Sequence, residues 1–163
     1  MNAFSQAVVA FVSQNLGAGK FERINKVVIT SQFCVVAVGG FLGVGAYLLG
    51  EPLLHLYTDS ELVVEAGMNR LAVISVMYAI CGMMDCMVGA LRGMGSSVMP
   101  MIVSLLGVCA LRMAWIFIFF QIEQYHTVQT IYYAYPITWT ITFFVHTICY
   151  LVIRRKMKTA WGV

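Results

Sequence analysis

Charge is what this sequence has least of. Only 10% of its 163 residues are Asp, Glu, Lys or Arg, where a soluble domain carries about 25%. With 61% hydrophobic residues and a mean hydropathy of +0.85, it holds more apolar surface than a core of this size can hide. A water-soluble domain is excluded, and lipid is the expected solvent. Catalytic signatures are also missing: there is no H-E-x-x-H, no G-x-S-x-G and no Walker loop. No two carboxylates lie at a common depth, so an enzyme is not expected. The five cysteines (Cys34, Cys81, Cys86, Cys109, Cys149) sit in apolar runs without C-x2-C spacing. They read as small packing residues, with no disulfide framework and no metal site. The net charge of +3 is spent on topology, and no nucleic-acid partner is expected.

What is present is a series of long apolar runs. Residues 1–16 are apolar with polar interruptions, too short for a span of about 20 residues. Lacking the basic start and cleavage site of a signal peptide, they read as the last part of a helix. Gly17 and Gly19 then supply a helix stop, followed by a short basic loop. Spans are expected over residues 28–50, 67–91, 98–120 and 131–153. In the first, Gly39-x-x-x-Gly43 puts two glycines on one face for close helix packing. Pro52 is expected to end that helix. Thr58-x-x-Glu61 has capping-box spacing, placing the next helix start near Asp59. His55 falls in this loop and reads as solvated. Pro100 sits harmlessly in a first turn, whereas Pro136 should bend or loosen the last span. Tyr132, Tyr133 and Tyr135 suit an interfacial belt. The expected fold is all-α, a polytopic transmembrane helix bundle. It has four full spans plus a truncated N-terminal helix, in a single transmembrane domain over residues 1–163.

Charge sets the orientation. Lys20, Arg23, Lys26, Arg92, Arg154, Arg155, Lys156 and Lys158 fall in connections 17–27 and 92–97 and the C-terminal tail. Loops 51–65 and 121–130 carry no Lys or Arg but five of the seven acids. The alternation obeys the positive-inside rule and makes the C-terminus cytoplasmic.

Two charged groups lie deep inside the spans, Asp85 and Arg112, whereas Arg70 lies near the outer end of its span, where a long side chain can snorkel to the headgroups. Such groups cost several kcal/mol in hydrocarbon and usually face a bundle interior or a water-filled path. Asp85 can hold or release a proton, or coordinate a cation with nearby carbonyls. The alternative is an acid neutralised by a partner such as Arg112, serving only to orient two helices. Depth opposes a simple pair. Arg112 lies about 20 Å from the basic surface and Asp85 about 10 Å. His146, in the last span, reads as a packing residue before a proton relay.

Three stretches resemble the multidrug and toxic compound extrusion (MATE) transporters. Val12-Ser13-Gln14-Asn15-Leu16-Gly17-Ala18-Gly19-Lys20 is similar to their G-Q-N-L-G-A-G-K-like segment. Gly89-Ala90-Leu91-Arg92-Gly93-Met94-Gly95 is similar to their G-x-L-R-G-x-G turn, and residues 56–67 (L-Y-T-D-S-E-L-V-V-E-A-G) resemble the segment before the tenth helix. The resemblance implies the end of helix eight followed by helices nine to twelve. The family fold has twelve helices in two lobes around a central cavity, exporting organic cations in exchange for Na+ or H+. It further implies Asp85 as the cation- or proton-coupling acid, Arg112 as a cavity or structural charge, and Arg92, Gly93 and Gly95 as a conformational turn. No cofactor beyond the coupling ion is implied. The implied partners are membrane lipid, a small organic cation and the missing N-terminal part of the transporter. A flippase of lipid-linked sugars from the same superfamily and a non-transporting truncated membrane protein are the alternatives.

Overall fold

The computed structural model describes residues 2–160, and the elements among them are all helical: α1 (Asn2–Gly17), α2 (Phe21–Leu48), α3 (Gly50–His55), α4 (Glu61–Gly93), α5 (Val98–Ser104), a π-helical turn (Leu105–Ala110), α6 (Leu111–Phe119), a 3-10 turn (Glu123–Tyr125) and α7 (Val128–Ala160). Three stretches are long and apolar enough to cross a membrane: Phe21–Leu48, Val98–Phe119 and Val128–Thr159. The two parts of α4, Glu61–Ser75 and Met77–Gly93, meet at 41° and together make a fourth. The apolar runs thus become helices because hydrocarbon offers no partner for backbone N–H and C=O, and a helix pairs them internally.

Several helix ends differ from the sequence expectation. α2 begins at Phe21 and stops at Leu48, so its basic first turns stand outside the apolar run. Pro52 does not end it; Pro52 lies within the first turn of the short α3, where a missing N–H is harmless. The Thr58–Glu61 capping box does not form. Ser60 is the residue before α4 and caps nothing with its side chain; instead its N–H donates to Thr58 Oγ1 at 3.2 Å. α7 runs through Pro136 without interruption. Its threonines bond back onto the helix, with Thr140 Oγ1 donating to the Pro136 carbonyl at 2.7 Å and Thr142 Oγ1 to that of Thr138 at 2.7 Å. Such back-bonding satisfies hydroxyls without a second helix.

The core lies toward the basic end. Val8 and Val12 of α1, Ile24, Val28 and Val35 of α2, Cys86, Met87, Ala90 and Leu91 of α4, and Tyr150 of α7 form one buried cluster. The α1–α4 seam is close because α4 has glycine there. A Cβ at Gly89 would lie 2.6 Å from the Ser5 carbonyl oxygen, and one at Gly93 2.7 Å from Val12 Cβ. Gly19 and Gly95 take positive φ, 68° and 84°, which only glycine accepts cheaply in the two basic turns. Val98–Phe119 packs at the edge, chiefly on α7, where Gly107 of the π turn touches Thr142.

Candidate functional site

Asp85 is half-buried on α4, on the face that carries Gly89 four residues on and Gly93 eight on. Its backbone carbonyl accepts a hydrogen bond from Ser5 Oγ at 2.9 Å, which ties α1 to α4 at this level. Two residues away, Gln32 Nε2 of α2 donates to the Met83 carbonyl at 3.2 Å. Two polar side chains from neighbouring helices therefore converge on the α4 backbone around Asp85. Among the described residues the Asp85 carboxylate has neither ion pair nor hydrogen bond.

Arg112 is occupied elsewhere. Its Nη2 donates to Thr138 Oγ1 at 3.3 Å, and its guanidinium carbon sits 4.0 Å from the centre of the Tyr135 ring. A ring face attracts a cation most where water is scarce. Tyr135 meets Trp139 edge-on at 5.7 Å, and Trp139 meets Tyr78 of α4 at 6.3 Å. Tyr135 thus faces the bundle through Arg112 rather than serving only as an interfacial anchor. Arg112 Nε is buried and makes no hydrogen bond. The arrangement keeps the acid and the guanidinium on different helices' polar contacts and does not bring them together as a pair.

The proposed turn residues divide. Arg92 and Gly93 belong to the last turn of α4, and Gly95 is the one among them with positive φ. Sequence reasoning also treated His146 as solitary, yet its Nε2 lies 3.2 Å from Ser104 Oγ at the entry to the π turn. Its Nδ1 is buried without a partner. Thr138, Thr142, His146 and Tyr150 are all buried and recur every four residues, so they line one face of α7. That repeat was present in the sequence and would have marked the inward face. No group of three or more His, Cys, Asp or Glu side chains among the described residues is placed to hold a metal.

Together these features define a class: a multi-pass α-helical membrane protein with an acid inside its bundle that makes no ion pair or hydrogen bond among the described residues. The profile of the MatE family matches residues 1–118, and the chain belongs to that family. It is 24% identical over 120 residues to the "Probable multidrug resistance protein NorM" of Thermotoga maritima, a match covering 74% of this chain and 26% of that protein. The chain therefore spans about a quarter of the length of this curated relative. No solved structure matches.

Proposed function

We propose that these residues form the larger part of the second lobe of a cation-coupled antiporter, exporting drugs or other organic cations in exchange for Na+ or H+. The observation that carries this reading is Asp85, an acid within a span of a MatE-family chain whose carboxylate makes no ion pair or hydrogen bond among the described residues. An acid so placed costs free energy unless it binds something, and a coupling ion is the natural occupant. Arg112 has the role of a fixed structural charge, held by Tyr135 and Thr138. Arg92, Gly93 and Gly95 would join two spans at the basic end as the conformational turn. The protein acts as a transporter and not as an enzyme, and its partners are membrane lipid, an organic cation and the N-terminal part of the transporter.

Transport needs one lobe to rock against another around the site. Residues 1–163 expressed alone in a drug-sensitive strain without its own pumps should confer no resistance, with their presence in the membrane confirmed. A complete transporter containing them should restore it. Resistance from the short chain alone would overturn the partial-lobe reading, and failure of the complete transporter would overturn the export reading.

The same reading places the chain in the plasma membrane with a cytoplasmic C-terminus. Ser60, Thr127 and Thr159 are all exposed. With the native cysteines replaced, Ser60→Cys and Thr127→Cys should react with an impermeant thiol reagent added to intact cells, whereas Thr159→Cys should not. Labelling of Thr159→Cys from outside would reverse the orientation.

A further inference from the structure

We propose that a cavity at the acidic end of the α6–α7 seam binds a soluble quaternary ammonium ion. The cavity encloses about 350 Å³, within the range of roughly 300–1,000 Å³ usual for small-molecule sites. Trp115 and Phe119 of α6, Tyr125 of the 3-10 turn and Tyr133 of α7 supply aromatic walls, and Thr130 and Ile137 complete the α7 side.

The rings are held in place by the protein itself. Trp115 Nε1 donates to the Thr130 carbonyl at 3.0 Å. Its ring stacks on that of Phe119 at 4.2 Å, and Phe119 meets Tyr125 nearly at right angles at 6.5 Å. An interfacial belt does not by itself account for this. Belt residues turn a polar tip to the headgroups, whereas the indole N–H here is spent on a backbone carbonyl of α7. Tyr125 and Tyr133 are exposed, so the cavity is open from outside.

Its chemistry selects a cation. Aromatic faces attract positive charge, and a quaternary ammonium group is a ligand well suited to a cage of them. The same seam already holds a cation in this way, where the Arg112 guanidinium carbon lies 4.0 Å from the centre of the Tyr135 ring. Tyr133 lies two residues before Tyr135 and leaves α7 on another face. Among the described residues the cavity walls include neither Arg112 nor any other basic side chain. The surrounding charge agrees. Glu123 begins the 3-10 turn that carries Tyr125, and residues 121–130 contain no Lys or Arg. That balance also selects a free ion over the choline headgroup of a lipid. The lipid would bring its phosphate to an acidic connection without a base to receive it. This inference concerns binding by the chain and stands apart from the export reading, so either fails without the other.

The test uses the 163-residue chain labelled with fluorotryptophan, in nanodiscs of phosphatidylethanolamine and phosphatidylglycerol, which carry no quaternary ammonium. The fluorine signal of Trp115 is identified by its loss in Trp115→Phe. Choline chloride, exchanged against NaCl at constant ionic strength, should move that signal saturably and leave that of the buried Trp139 in place. Dimethylbutanol, the uncharged isostere with carbon in place of nitrogen, should need a concentration about tenfold higher. Phe119→Leu and Tyr133→Leu should each weaken choline binding about fivefold, whereas Tyr133→Phe keeps the ring and should bind like the parent. Glu123→Gln should weaken binding at low ionic strength and less so at high. A variant counts as folded when its Trp139 signal stays at the parent position, and Tyr125→Leu on the exposed turn replaces one that does not fold. Equal responses to choline and its isostere, or ring variants that bind like the parent, would overturn the proposal. So would a Trp115 signal that only phosphatidylcholine moves, because the occupant would then be a lipid headgroup.

Discussion

Asp85→Asn should abolish drug export by a complete transporter that contains this sequence, while leaving its amount in the membrane unchanged. Asparagine keeps the size and hydrogen-bonding capacity of the side chain and removes only its negative charge. The helix contact at this level should survive, because Ser5 bonds to the backbone carbonyl of residue 85 rather than to its carboxylate. Gly89, four residues away, keeps its contact with Ser5 for the same reason. Structure and coupling are therefore separable at this position. Efflux against a gradient from reconstituted vesicles is the deciding measurement. An Asn variant that still drives uphill export would make Asp85 a structural acid and remove the main support for coupling in this lobe.

Adding one methyl group to the α1–α4 seam should damage stability. In Gly89→Ala the new Cβ would lie 2.6 Å from a backbone carbonyl oxygen of Ser5, and in Gly93→Ala it would lie 2.9 Å from that of Val9. Backbone cannot swing aside as the end of a flexible side chain can, so α1 must shift as a body. Overpacking of this kind costs about 1–3 kcal/mol. Gly40→Ala and Gly45→Ala are the controls. Nothing stands within 4 Å of a Cβ at either position, and replacing glycine inside a helix by alanine is favourable by up to about 1 kcal/mol. Thermal unfolding in detergent should thus fall for the first pair and hold or rise for the second. Equal effects in both pairs would mean that α1 does not pack closely on α4.

The seam effect could not be assigned from residue types alone. Gly89 and Gly93 are visible in the sequence as a pair four apart, but so are Gly39 and Gly43. Only the packed structure distinguishes a seam closed against α1 from a pair lining an open groove between α2 and α4. The same limit applied to the charges. Asp85 and Arg112 were legible as charged residues deep within the spans, since hydrocarbon makes any such residue conspicuous. Their partners were not, because Arg112 finds Tyr135 and Thr138 at sequence separations of 23 and 26 residues. Local propensity misplaced the cap at Thr58 and the stop at Pro52 for a related reason. Helix ends are set by small local differences, which backbone bonding around Leu49 and the Ser60 N–H bond to Thr58 Oγ1 outweighed.

What the sequence determined by itself is the helical, membrane-spanning character of the chain and the order and approximate extent of its apolar runs. Those follow from one strong constraint: a polypeptide in hydrocarbon must pair its own backbone groups, and a helix does so within a single segment. The tertiary structure decided which face of each helix is inward, that α1 docks on glycines of α4, and that His146 meets Ser104 beside a π turn. Lipid is as apolar as leucine, so hydrophobicity cannot choose among faces. The choice falls to close packing and hydrogen bonds between helices distant in sequence.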